Sequence, residues 1–178
     1  MIIVYVGGMG SGKTLSAVRE AYQYHLKGLK VLSNMKLSFP HQFITSKDII
    51  EFAKQKQGLY NCVVVLDEMH IFLDSRRSVS KKNLISSYFI TQTRKQKVKL
   101  IGTTQHRHQL DKRVRDNTDA FIDCEKVEIP YTFDGEDILI VYNYINTRNR
   151  NSMDRFIGNK YFNLYDTEEI IFDSSDLE

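Results

Sequence analysis

The residues with the clearest chemical signal lie near the amino terminus, where a short apolar run leads into a glycine-rich loop. The loop has the spacing G-x-x-x-x-G-K-T and consists of Gly7, Gly8, Met9, Gly10, Ser11, Gly12, Lys13 and Thr14. Its glycines let the backbone curl around a phosphate with the N–H groups pointing inward. The Lys13 ammonium would reach the β and γ phosphates, and the Thr14 hydroxyl would ligate Mg²⁺. These eight residues therefore predict a binding site for ATP and Mg²⁺.

Two acids follow a second apolar run. Residues 62–66 are continuously apolar, as expected of a central parallel strand, and Asp67 and Glu68 come directly after them. An aspartate at the carboxyl end of such a strand can hold the Mg²⁺ shell, and an adjacent glutamate can orient and deprotonate water. We therefore expect Asp67 to bind the metal together with Thr14, and Glu68 to be the general base. We interpret His70 as a packing or rim residue rather than a proton carrier.

A polar amide follows another predicted strand. Residues 98–103 form this strand, and Thr104 and Gln105 come after it. If the strand neighbours the one that ends at Asp67, the Gln105 amide can hydrogen-bond the γ-phosphate or the attacking water. Gln105 is thus predicted to report the state of the nucleotide.

The hydrophobic pattern supplies the elements that must position these residues. A strand over residues 2–6 precedes the loop, and residues 15–27 have helical spacing. The pair Thr45 and Asp48 is a candidate capping box for a helix that reaches about residue 57. A further helix is predicted over residues 80–95. The other predicted strands cover residues 30–34, 120–129 and 137–145, the last two joined at a turn of Asp134 and Gly135.

These elements predict an α/β fold with a mostly parallel central sheet, helices on both faces and the ATP site at the carboxyl ends of the strands. A chain of 178 residues fits a single domain. We divide it into an ATPase core, residues 1–126, and a C-terminal hairpin and tail, residues 127–178. The hairpin is expected at the edge of the sheet.

The composition restricts the cellular setting. The apolar runs are too short to span a membrane and no basic or cleavable leader is visible, so we expect a cytoplasmic protein without a transmembrane segment. Cys62 and Cys124 both lie in apolar, strand-like stretches. Buried free thiols are the expected state for both in a reducing compartment.

The net charge of +3 conceals an uneven distribution. Residues 76–115 contain twelve Lys and Arg against one acid, whereas residues 116–178 contain five against fifteen. Such blocks can form a solvated face or neutralise each other. A basic block beside an ATP site is also suited to a polyanion such as DNA.

Missing motifs exclude several classes of phosphate-loop protein. The sequence has no Asn-Lys-x-Asp motif for guanine and no Leu-Ser-Gly-Gly-Gln motif of an ABC cassette, and a two-lobed helicase needs a second domain. A small-molecule kinase stays open, although such kinases rarely have an Asp-Glu pair after the third strand. An ATP-gated interaction protein that does not translocate also stays open.

The remaining pattern resembles the FtsK/HerA superfamily of DNA-pumping ATPases. The resemblance covers most of residues 1–126 and rests on four stretches: residues 7–14, 63–68, 93–105 and 110–117. The small size is similar to the genome-packaging ATPases of membrane-containing icosahedral viruses. Residues 161–167 are similar to the end of the zonula occludens toxin-like domain of filamentous-phage assembly proteins. Those proteins normally continue into a transmembrane helix. We see no such helix in this sequence, so we expect the packaging role and keep virion assembly as the alternative.

The resemblance implies a RecA-like domain that hydrolyses ATP to move double-stranded DNA. It also implies a homo-oligomeric ring, usually a hexamer, with each ATP site at a subunit boundary. Arg94 is then the first candidate for an arginine finger, ahead of Arg113 and Arg115, because it precedes the fourth strand where the family places this residue. A virion shell or portal protein would be the docking partner, and the setting would be the host cytoplasm with transient association with the virion.

Overall fold

A computed structural model of the protein describes residues 1–54, 59–72, 89–91, 93–130 and 137–166. In this part of the chain eight strands form one sheet, in the order β3-β2-β4-β5-β1-β6-β7-β8. The strands are β1 (Ile2–Val6), β2 (Lys30–Ser33), β3 (Gln42–Phe43), β4 (Cys62–Leu66), β5 (Lys99–Thr104), β6 (Ala120–Ile129), β7 (Ile138–Thr147) and β8 (Asn151–Ile157).

The first six strands form the parallel part of the sheet, which confirms the predicted fold class. β5 lies between β1 and β4, with Leu100 level with Ile2 on one side and Val64 on the other. Every residue of β1 and β4 is buried, because helices cover both faces of these strands. The strands that carry the phosphate loop and the two acids are therefore separated by one strand, and all three end at the same edge.

The helices divide between the two faces. α1 (Lys13–Leu26) packs Ala17, Val18 and Ala21 against one face, where all three are fully buried. Three helical segments contribute to the core of the other face: α2 (Ser46–Lys54), residues 89–91 and α4 (Lys112–Asn117). Residues 93–95 are also helical, and the short helix α3 (Met69–Phe72) follows β4. The predicted capping box is confirmed, because the Asp48 carboxylate accepts from the Thr45 backbone N–H at 2.7 Å and from its hydroxyl at 2.8 Å. Among the described helices, none is long and apolar enough to cross a membrane.

The C-terminal part departs from the prediction. β6 and β7 are antiparallel neighbours as expected, but β8 pairs with β7, so the hairpin is not the edge of the sheet. The expectation of an edge hairpin was wrong because β8 buries only Phe156 and therefore lacks the apolar alternation that identifies a strand. The two-residue strand β3 was also missed. The predicted Asp134–Gly135 turn lies outside the described residues.

A third cluster of buried side chains joins the C-terminal strands to the start of α1. Leu15 of α1 packs with Leu139, Val141 and Phe156. Both cysteines are buried free thiols, as predicted. Burial raises the pKa of Cys62 to about 11 and that of Cys124 to about 12, so both stay protonated and unreactive at neutral pH.

Candidate nucleotide-binding and catalytic site

The glycine-rich loop connects β1 to α1 and requires glycine at defined positions. A Cβ on Gly7 would lie 2.5 Å from the Ser11 hydroxyl oxygen and 2.9 Å from the Cys124 carbonyl oxygen. Gly10 and Gly12 have φ angles of +73° and +89°, in the left-handed region that side chains disfavour. The close approach and the positive φ angles explain why the loop sequence is restricted at these three positions.

The loop places a helix N-terminus and a lysine around one space. α1 begins at Lys13, so its first backbone N–H groups point out of the helix toward the loop, an arrangement suited to anions. The Lys13 side chain is buried, and its ammonium donates to the Gly8 carbonyl oxygen at 2.8 Å. The loop therefore has the donors and the positive charge that a phosphate needs.

Oxygen ligands lie next to this space. The Asp67 carboxylate accepts hydrogen bonds from the Thr14 hydroxyl at 2.9 Å and from the Thr103 hydroxyl at 2.6 Å. Burial raises the pKa of Asp67, while these bonds and the Lys13 charge oppose the shift. Hard oxygen ligands suit Mg²⁺, with Thr14 and Asp67 as the predicted pair. No three His, Cys, Asp or Glu of the described residues could hold a metal alone, so the ion would also need phosphate and water oxygens.

The backbone at Asp67 and Glu68 is held from both neighbouring strands. Asn34, which follows β2 and is 3% exposed, donates to the Asp67 carbonyl oxygen at 2.9 Å and accepts from the Asp67 N–H at 2.8 Å. The Glu68 N–H donates to the Thr103 hydroxyl at 2.9 Å, and Glu68 has a φ of +47°. Asn34 and Thr103 were not predicted as site residues. The available signal was a buried polar residue at the carboxyl end of each neighbouring strand.

The structure brings four of the predicted side chains to this edge of the sheet together with Gln105. Because β5 lies between β1 and β4, Gln105 follows the strand whose end separates the phosphate loop from Asp67 and Glu68. The Glu68 side chain is partly exposed, and its Oε2 lies 3.3 Å from His70 Nδ1. Lys13, Thr14, Asp67, Glu68 and Gln105 thus occupy one edge.

Arg94 lies at the opposite edge. Its guanidinium donates to the Asn117 carbonyl oxygen at 3.0 Å and to Asp119 at 3.1 Å, and Asp119 also accepts from the Ile2 N–H at the start of β1. The sequence predicts that the loops of the basic block, residues 76–115, emerge at the carboxyl edge with the ATP site or next to it. Residues 94–99 of this block lie at the amino edge instead, so for them the prediction was wrong. A helix between parallel strands returns the chain to the amino edge, so cations at its end lie far from the loops at the carboxyl edge.

A cavity of about 570 Å³ opens beside the phosphate loop and was not predicted. The Phe162 and Tyr165 rings line it together with residues of the loop, α1 and the C-terminal strands. Burial, followed by the Asp67 charge, raises the pKa of Tyr165 to about 12, so the phenol stays neutral. The Ser38 N–H donates to the Leu164 carbonyl oxygen at 2.8 Å, which holds the aromatic segment against the residues after β2.

Comparisons with known proteins agree with this geometry. A family model described as "ATPase family associated with various cellular activities (AAA)" matches residues 3–126. The N-terminal domain of zonular occludens toxin from Neisseria meningitidis has a similar fold, with 19% identity and a TM-score of 0.64 over 93% of this chain and 98% of that chain. The genome packaging NTPase B204 from Sulfolobus turreted icosahedral virus 2, in complex with ATP-gammaS, has 14% identity and a TM-score of 0.56 over 86% and 95%.

A third similar structure is the flagellar accessory protein FlaH from Methanocaldococcus jannaschii, with 13% identity and a TM-score of 0.53 over 86% of this chain and 88% of that chain. No curated protein matched the sequence. At these identities the solved structures show a shared fold, and they include both kinds of protein that the sequence resembled. The family match, the phosphate loop and this fold lead to one conclusion: the chain belongs to the ATPase family associated with various cellular activities, and it is a nucleotide-binding P-loop ATPase.

Proposed function

We propose that this chain is an Mg²⁺-dependent ATP-driven motor that moves double-stranded DNA, as a viral genome-packaging ATPase does. The proposed ATP hydrolysis is supported by the contact of Asp67 with the Thr14 and Thr103 hydroxyls beside the phosphate loop. Glu68 is the next residue in the chain. Phosphoryl transfer needs little covalent help from a protein, so positioning and charge account for most of the catalysis. The Lys13 charge and the position of Asp67 beside Thr14 support this proposal.

Each site residue then has a role. Lys13 neutralises charge on the β and γ phosphates, and Thr14 and Asp67 hold Mg²⁺ among the phosphate oxygens. Glu68 accepts a proton from the attacking water, and Gln105 contacts the γ-phosphate or that water. The nucleoside lies in the cavity beside the loop, where the Phe162 and Tyr165 rings offer apolar surface for the base.

The position of Arg94 supports an oligomer. Since Arg94 and the ATP site lie at opposite edges of the sheet, an Arg94 finger could act only on the site of a second copy. Head-to-tail contacts between amino and carboxyl edges are heterologous and close into a ring when the rotation allows. We therefore propose a ring, with a hexamer favoured, that is built from single-domain subunits.

The charge distribution supports DNA as the polymer. The described residues 93–115 include exposed cations on two surfaces, with Lys95 and Lys97 at the amino edge and Lys112 and Arg113 on α4. Asp111 is the only acid of residues 76–115. Lysine and arginine bind phosphates without reading sequence, as a motor that travels along DNA requires. A shell or portal protein is the expected docking partner.

A second candidate is a virion assembly ATPase of the zonula occludens toxin-like kind. The specific observation in its favour is the longer structural match, which covers 93% of this chain against 86% for the packaging NTPase. Both candidates share the same site chemistry, so they differ in the polymer and the partner.

The test is the ATPase rate of the full chain without DNA, with double-stranded DNA and with single-stranded DNA, together with the mass from light scattering. Lys13→Ala is the matched control and should lose nucleotide binding. Stimulation by double-stranded DNA with a ring mass supports the packaging motor, and stimulation by single-stranded DNA alone would argue against it. Hydrolysis that neither DNA affects would overturn the motor proposal, and ADP release that accelerates with a small acceptor would indicate a kinase.

A further inference from the structure

The Glu68 carboxylate has an unexplained feature. Its Oε2 atom is buried but has no hydrogen bond within the part of the chain that the structure describes. An unsatisfied buried acceptor lowers the stability of the fold, and a charged one does so more strongly. The backbone N–H of Glu68 already donates to the Thr103 hydroxyl, so the backbone is fixed while the carboxylate oxygen still lacks a hydrogen bond.

His70 is close to this oxygen. Its Nδ1 lies 3.3 Å from Glu68 Oε2 and 3.4 Å from the Thr104 hydroxyl oxygen. The side chain comes from the short helix α3, directly after the two acids, and is 23% exposed. In the tautomer that carries a proton on Nδ1, one N–H therefore has two neighbouring acceptors.

The second acceptor is also held in place. The Thr104 hydroxyl is fully buried and donates to the Gln109 side-chain oxygen at 2.9 Å, which leaves its lone pairs for His70. Gln109 closes the 3-10 turn Arg107–Gln109 and also accepts from the His106 backbone N–H at 2.9 Å. A chain of polar contacts thus runs from Glu68 through His70 and Thr104 to this turn.

We propose that His70 is a positioning residue for Glu68. The 3.3 Å contact is not a formed hydrogen bond in this structure, but with nucleotide bound the Nδ1–H donates to Oε2, so that the other carboxylate oxygen is directed at the attacking water. Thr104 and Gln109 hold the imidazole in the orientation that makes this possible. The proposal rests on the role of Glu68 as the general base, and the ring and the DNA partner do not enter it.

The experiment compares two substitutions in the full chain. His70→Phe keeps a ring but removes both nitrogens, whereas His70→Asn keeps an N–H donor near the position of Nδ1. His25→Phe is the matched control, because His25 lies in the last turn of α1, away from the site, and its ring packs against Phe39 in a tilted arrangement. The measurements are kcat and KM for ATP, the thermal unfolding midpoint, and the same kinetics in a Glu68→Gln background.

We expect His70→Phe to lower kcat by roughly tenfold with little change in KM, since misplacement of a catalytic group acts on the chemical step. His70→Asn should recover part of this loss, and His25→Phe should match the wild type. In the Glu68→Gln background, His70→Phe should have no further effect, because its action passes through the carboxylate.

Three results would overturn the proposal: wild-type kcat in His70→Phe, an equal loss in the Glu68→Gln background, or a loss that appears only in KM or in the unfolding midpoint. The Glu68→Gln enzyme separates this failure from failure of the base assignment. If Glu68→Gln keeps its turnover, Glu68 is not the base and the role of His70 is also refuted. If Glu68→Gln is inactive while His70→Phe is normal, only the positioning role fails.

Discussion

Asn34→Ala tests whether the Asp67–Glu68 turn depends on the strand next to it. The substitution removes two hydrogen bonds, at 2.9 and 2.8 Å, and leaves the Asp67 carbonyl oxygen and N–H without their partner in the interior. Each orphaned buried group costs about 1–3 kcal/mol, so the unfolding free energy should fall by about 2–6 kcal/mol. A water molecule that enters the vacated space would bring the loss toward the lower end.

The same change should act on catalysis. A displaced turn moves both the proposed metal ligand Asp67 and the proposed base Glu68, and a 1 Å misplacement can cost about 10²-fold in rate. We therefore expect kcat to fall at least about tenfold, while ATP still binds through the phosphate loop and Lys13.

Chemical denaturation and steady-state kinetics measure the two effects, with Asn151→Ala as the matched control because Asn151 is exposed at the start of β8. A loss of under about 1 kcal/mol in Asn34→Ala would contradict the cost assigned to the orphaned groups. If kcat also stays within twofold of the wild type, the conformation of the Asp67–Glu68 turn does not depend on Asn34.

Four further predictions address the site, the ring and DNA. Glu68→Gln should bind ATP and lose hydrolysis by roughly 10²- to 10⁴-fold; more than about a tenth of wild-type turnover would remove Glu68 from the base role. Arg94→Ala should hydrolyse poorly alone but recover activity when mixed with Glu68→Gln subunits, and verified mixed rings without recovery would argue against action in trans. Burial raises the pKa of Asp67 in the folded protein above its value of about 3.9 in the unfolded chain. The protonated carboxyl therefore stabilises the fold fully below the unfolded pKa, and this contribution is lost as the pH rises through the folded pKa. Asp67→Asn should therefore be more stable than the wild type at pH 7, with a gap in the unfolding midpoint that narrows on acidification; a gap that widens would refute this. Replacing Arg76, Arg77, Lys81 and Lys82, which lie outside the described residues, with alanine should flatten the salt dependence of DNA binding by about 0.9 in log–log slope per lost phosphate contact. An unchanged slope would exclude these four cations as DNA contacts.

Local sequence patterns were enough to predict the core of the site. The phosphate loop could be recognised from the sequence because its function needs glycine, lysine and threonine at fixed spacing along the chain. Asp67 and Glu68 could be predicted to lie near the loop because a continuously apolar strand precedes them, and parallel strands end at a common edge. The parallel sheet and the buried cysteines follow from the same short-range patterns.

Tertiary structure alone decided the remaining features, because they depend on residues that are distant in sequence. Asn34 meets Asp67 across two paired strands, and His70 meets Thr104 only because β5 lies beside β4. β8 is a strand because β7 offers it a partner, although its own sequence has little strand pattern. Arg94 is the clearest example. The sequence correctly predicts that it precedes a strand, but its place at the edge opposite the ATP site follows from the direction of the chain between parallel strands.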